Sequence, residues 1–113
     1  MKKFLVLYKA STEAFQQAMK SSTPEQQKAG MDAWMTWSKK VGPSIVDMGG
    51  PLGKSVTVAK NGEFSPVVND LGGFSIMQAE SKEALAATMK DHPHFMMAAS
   101  SIEIVELMPI PGM

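Results

Sequence analysis

Apolar residues along the chain recur with two different periods, and the switches between them mark its elements. Phe4-Leu-Val-Leu-Tyr8 is an unbroken run of strand-favouring residues that predicts a strand close to the start. Alternation puts Phe4, Val6 and Tyr8 on one side and Leu5 and Leu7 on the other. A strand apolar on both sides needs two covers, one more than a single layer of helices supplies. From Ser11 or Thr12 to about Ser21 the period becomes helical, with Phe15, Ala18 and Met19 as the buried stripe. Thr23-Pro24-Glu25-Gln26 combines a Thr N-cap, a proline at the first helical position and a Gln that closes a capping box. The helix it opens should run to Val41, stopped by Gly42 and Pro43, with Gly30, Trp34, Trp37 and Val41 at helical spacing beside Met31 and Met35.

Beyond the long helix the pattern returns to strands. Ile45–Met48 reads as a short strand ended by Gly49-Gly50-Pro51, and Ser55–Ala59 as another before the tight-turn pair Asn61-Gly62. Pro66 demotes Phe64–Val68 to an edge strand or a loop. Phe74–Ala79 predicts a strand, and Ser81 caps a helix through Leu85 and Met89 that stops near Asp91 because Pro93 pushes His92 into an extended conformation. Ser101–Leu107 is the last strand. This order fits one domain over residues 1–113, a ferredoxin-like α+β sandwich whose antiparallel sheet carries helices on one face. The helix-free face would leave a sheet-sized apolar patch in water, above the roughly 300–600 Å² of a typical monomer's largest patch. A second copy related by a two-fold axis is the expected cover, which makes a homodimer the expected state.

Composition narrows the partners. Eleven basic residues balance eleven acidic ones, which removes the basic face that nucleic acid or an anionic membrane requires. There is no cysteine, so neither disulfides nor thiolate metal sites arise. The apolar run behind Met1-Lys2-Lys3 is too short for a signal peptide, and a cytoplasmic location is expected.

Several short segments, taken together, resemble a known family. Gly49-Gly-Pro-Leu52, Gly72-Gly-Phe-Ser-Ile76, Gln78-Ala-Glu-Ser81 with Glu83-Ala84, Asp91-His-Pro-His94 and Ser101-Ile-Glu-Ile-Val105 occur in an order that resembles the YCII-related family of small dimeric α+β barrel proteins. The resemblance implies a ferredoxin-like protomer that pairs sheet to sheet. Most members of that family have no known function. Some relatives look like acid–base enzymes of aromatic-ring metabolites, dehydrochlorination among their reactions, and a branch with an Asp-Gly-Pro-Phe motif is associated with regulatory roles. The chain departs from both patterns. The enzyme-like branch carries a histidine on the long helix, where this sequence has Ala33 or Trp34, and Phe64-Ser-Pro-Val-Val-Asn-Asp70 stands where Asp-Gly-Pro-Phe would lie.

Both histidines lie in Asp91-His92-Pro93-His94. If this segment is extended, His92 and His94 point the same way and share a pocket wall. Asp91 at the negative end of a helix dipole invites a protonated His92 as its partner, and such a pair is a proton shuttle. The alternative is a structural turn that ties down the loop after the helix. A metal would need a third ligand, from Asp91 or Asp47, and no second motif supports one. No cofactor motif is present either: neither glycine pair opens a helix directly after a strand. Trp34 and Trp37 are a core stripe or an aromatic wall for a flat ligand. Asp47, in an otherwise apolar strand, is a candidate base if it faces inward and a solvated residue if it faces outward. The methionines either pack the core or line an adaptable surface.

Two functions follow. One is a small lyase or isomerase moving protons on an aromatic or enol-type metabolite, with Asp91, His92 and Asp47 as acid–base groups and Trp34, Trp37 and His94 holding the ligand. The other is a non-catalytic dimer that binds a small ligand or serves regulation.

Overall fold

The strands predicted from residue alternation assemble around the N-terminal one. In the computed structural model, which describes residues 1–97 and 99–111, β1 (Lys2–Lys9) lies between β5 (Leu71–Ala79) and β6 (Ser101–Glu106). β2 (Ile45–Pro51) pairs with the far edge of β5, giving the antiparallel order β2-β5-β1-β6. Together with α1 (Thr12–Ser21), α2 (Pro24–Val41) and α3 (Lys82–Ala87) this is the ferredoxin-like α+β arrangement. The described residues of one chain close no barrel.

Register divides the two faces of the sheet. Phe4, Val6 and Tyr8 stand opposite Met77, Ser75 and Gly73, and this side is buried beneath the helices. Trp37 from α2, Leu85 from α3 and Met89 just beyond it complete that core. Leu5 and Leu7, opposite Ile76 and Phe74, occupy the helix-free side, joined by Val105 across the β1–β6 pair. They are only partly covered.

Caps place the helices as the sequence implied. Thr23 Oγ1 accepts from the Gln26 N–H at 3.1 Å while Gln26 Oε1 accepts from the Thr23 N–H at 2.9 Å, closing the capping box. Ser11 Oγ caps α1 by accepting from the Ala14 N–H. Three expectations are corrected. Met19 is 77% exposed, so α1 rests on Phe15 and Ala18 with Ala14 beside them, and buries no residue fully. β2 does not stop at the glycines: it runs on to Pro51 through register shifts, because Gly49 takes a positive φ of 66° that lets the strand bend without breaking. α3 ends at Ala87, where the Thr88 hydroxyl and the Thr88 and Met89 N–H groups bond back with three-residue spacing and tighten the chain out of the α-helix.

β3 (Ser55–Val58) and β4 (Phe64–Val67) form a separate two-stranded ribbon closed by the predicted Asn61-Gly62 turn. Pro66 sits in an edge strand, where its missing N–H does no harm. Val56, Val58, Phe64 and Pro66 share one face of the ribbon, and Phe64 is 72% exposed.

Candidate functional site

Between the sheet and its helix layer lies a cavity of about 670 Å³. Phe15 and Ala18 come from α1, and Gly30, Met31 and Trp34 from α2. Met48–Pro51 of β2 and Gly72–Phe74 of β5 form the floor, with Tyr8 from β1. Pro93, His94, Met96 and Met97 close it after α3. No Lys, Arg, Asp or Glu is among the described lining residues, so an ionic ligand would find no counter-charge there.

Two strand glycines shape this floor. A Cβ at Gly72 would stand 1.9 Å from the Phe15 ring, so the missing side chain is what seats that ring on β5. At Gly49 a Cβ would meet the Phe74 carbonyl at 1.9 Å, so the bend in β2 requires glycine for space as well as for φ.

His94 is the one imidazole on the wall. Pro93–Met96 forms a 3-10 turn, and the ring of His94, 6% exposed, packs between Tyr8 at 5.5 Å and Phe15 at 6.3 Å. Its Nε2 lies 3.0 Å from the Lys9 carbonyl and 3.1 Å from that of Ser101. Two carbonyl oxygens only accept, so Nε2 carries the proton and Nδ1 is the basic nitrogen of the neutral ring. Tyr8 has its own fixed direction. Ser75 Oγ donates to the Met48 carbonyl at 2.8 Å, which leaves the Tyr8 hydroxyl to donate to Ser75 Oγ at 2.9 Å. Burial raises the Tyr8 pKa and the Ser75 bond only partly offsets it, so the phenol stays protonated.

His92 does not share that wall. The residue is extended, as Pro93 requires, but the 3-10 turn rotates His94 away from it. Its ring is 2% exposed, 4.1 Å from Trp37, 4.5 Å from Trp34 and 4.9 Å from Tyr8. Nδ1 accepts the His94 backbone N–H at 3.0 Å, so the neutral ring holds its proton on Nε2. That nitrogen and Trp37 Nε1 are buried without a hydrogen-bond partner among the described residues. His92 meets Trp34 in a T-shaped arrangement, the rings 84° apart, a favoured geometry for an aromatic pair. Burial pushes the His92 pKa down to about 4, with the neighbouring His94 adding to the effect and Asp91 opposing it.

The anticipated Asp91–His92 pair is therefore absent. Asp91 is exposed and accepts from Lys40 Nζ at 2.7 Å, and that ammonium, rather than an imidazolium, holds its pKa below the usual carboxylate range. Lys40 belongs to the last turn of α2, where a cation suits the negative end of the helix dipole, and Asp91 meets it there. Asp47 is exposed as well, its Oδ1 accepting from the Gly49 N–H at 2.8 Å, which fits the outward alternative. The tryptophans divide: Trp37 belongs to the core and Trp34 lines the cavity. Tyr8, Phe15 and the glycines of the floor escaped sequence reasoning, although glycines inside a strand pattern are a signal of close approach.

No family model matches the chain, and no curated protein matches it. A solved structure does. The fold is similar to that of 5-chloro-2-hydroxyhydroquinone dehydrochlorinase from Burkholderia phenoliruptrix AC1100, determined as a complex with 2,5-dihydroxybenzoquinone. The TM-score is 0.50 at 21% identity, over 89% of this chain and 90% of that one. This likeness establishes the α+β fold. Among the described residues no helix is long and apolar enough to cross a membrane.

Proposed function

We propose that this protein binds an uncharged aromatic or enol-type metabolite in the cavity beneath its helices and moves a proton on it, as a small lyase or isomerase. One observation carries the reading: the described wall, largely apolar and lined also by Trp34, presents a single imidazole oriented through Nε2. As a base, Nδ1 of His94 would take a ring or enol proton, and the Lys9 and Ser101 carbonyls would stabilise the imidazolium that forms. A carboxylate plays the same part beside the histidine of a serine protease. The structural neighbour's action on a hydroquinone supports this reading by analogy of fold alone.

The test is solvent deuterium exchange into a panel of hydroxylated and chlorinated aromatics, followed by NMR together with chloride release. Exchange should fall by roughly 10²–10⁴-fold in His94→Gln, the usual worth of a general acid–base group. Equal exchange by the variant would remove His94 from the chemistry. The described cavity wall holds no carboxylate, which favours a second reading, a ligand-binding dimer without catalysis. A compound that raises the melting temperature by mass action, yet neither exchanges nor reacts, would establish that alternative.

We also propose that the working unit is a homodimer joined through the helix-free face, where Leu5, Leu7, Phe74, Ile76 and Val105 form an apolar surface on adjacent strands. Sedimentation velocity at micromolar concentration should show a dimer, and a folded monomer there would refute it.

A further inference from the structure

Four of the glycines on the cavity wall fall into two kinds. Gly49 and Gly72 are required by their surroundings, since a Cβ at either would stand 1.9 Å from a neighbouring atom. At Gly30 and Gly50 a Cβ would meet nothing within 4 Å, and neither backbone takes a positive φ. Gly30 is the harder of these to account for by structure. It lies in the interior of α2, where glycine is among the worst helix formers, and neither packing nor backbone geometry asks for it. Its position does face open cavity. Trp34 follows one turn later on the same side of the helix, so the space above Gly30 borders the indole. Gly50 leaves matching room on β2.

We propose that Gly30 is a specificity-determining position whose missing side chain keeps a flat slot open beside Trp34, and that the slot admits the second ring of a fused or extended uncharged aromatic ligand. The inference rests on the cavity being the ligand site, as read above, and it adds the size and shape of what enters. A volume of about 670 Å³ agrees, lying well inside the roughly 300–1,000 Å³ of sites that hold drug-sized molecules. Uncharged ligands follow from the absence of charged side chains among the described lining residues.

The experiment compares phenol and 2-naphthol as probes by NMR titration of the full chain. The wild type should prefer 2-naphthol by at least about tenfold, and Gly30→Leu should abolish that preference while phenol affinity stays within about threefold, because overpacking strikes only the ligand that fills the slot. Gly30→Ala serves where the leucine variant folds poorly. It should raise the melting temperature by about 2–6 °C, as helix propensity dictates when a Cβ meets nothing, and weaken 2-naphthol several-fold. A wild type without ring preference, a leucine variant that keeps it, or an alanine variant that melts lower would each overturn the proposal. Proton exchange is read separately. Its absence alongside an intact ring preference counts against catalysis by His94 and leaves the slot supported.

Discussion

Acidification should destabilise this protein through His92. In the folded chain the ring is sealed among Trp34, Trp37 and Tyr8, and burial holds its pKa at about 4 against an ordinary 6.5. The unfolded chain therefore binds a proton that the folded chain refuses between those values, so stability is full above pH 6.5 and declines as pH falls toward 4. At about 1.4 kcal/mol for each pH unit between the two values, the loss approaches about 3 kcal/mol once both states are protonated. That is a large share of the roughly 5–15 kcal/mol by which domains are stable. Urea unfolding followed by tryptophan fluorescence at pH 7, 6, 5 and 4.5 measures the decline. His92→Asn is the control, because its amide oxygen can still accept the His94 N–H while nothing at that position titrates. The variant should lose about 2 kcal/mol at pH 7 from weaker ring packing. From pH 6.5 to 5 it should lose distinctly less than the wild type. Equal declines in the two proteins would show that His92 is not the acid-sensitive group.

Four further outcomes follow. Gly72→Ala should cost about 1–3 kcal/mol by displacing the Phe15 ring, and Phe15→Leu in the same chain should recover part of it, measured by urea unfolding. Gly49→Ala should cost more, about 2 kcal/mol or above, since both the positive φ and the Phe74 carbonyl oppose a side chain and no rotamer relieves either. Asp91→Asn should leave both ligand binding and the pH profile of proton exchange unchanged, because its partner is a solvated lysine outside the cavity; a shifted profile would return Asp91 to the chemistry. Leu7→Glu should leave only single subunits in sedimentation, with circular dichroism reporting whether each remains folded.

Much of the architecture was legible because it depends on local chemistry. The capping box at Thr23, the Asn61-Gly62 turn and the alternation of Phe4 to Tyr8 each act within a few residues, and each appears where expected. Met19 shows where local reasoning stops. It has the right spacing for a buried stripe, yet α1 lies over a hollow rather than over packed side chains, and periodicity says nothing of what is underneath. The candidate site was half legible. His94 and Trp34, two of the expected site residues, line the cavity, whereas Asp91, His92, Asp47 and Trp37 lie elsewhere. Between the two histidines the division turns on whether the residues after Pro93 continue extended or coil into a 3-10 turn. A proline fixes the residue before it and leaves that choice to tertiary contacts, here the two carbonyls that hold His94 Nε2.

The lightly anchored first helix bears on how anything reaches the interior. A helix that buries none of its residues, moored chiefly by one phenylalanine on a bare stretch of strand, is the wall that gives way most cheaply. Opening of the fold is therefore expected to begin at this segment, and hydrogen exchange should find its amides the least protected of the three helices.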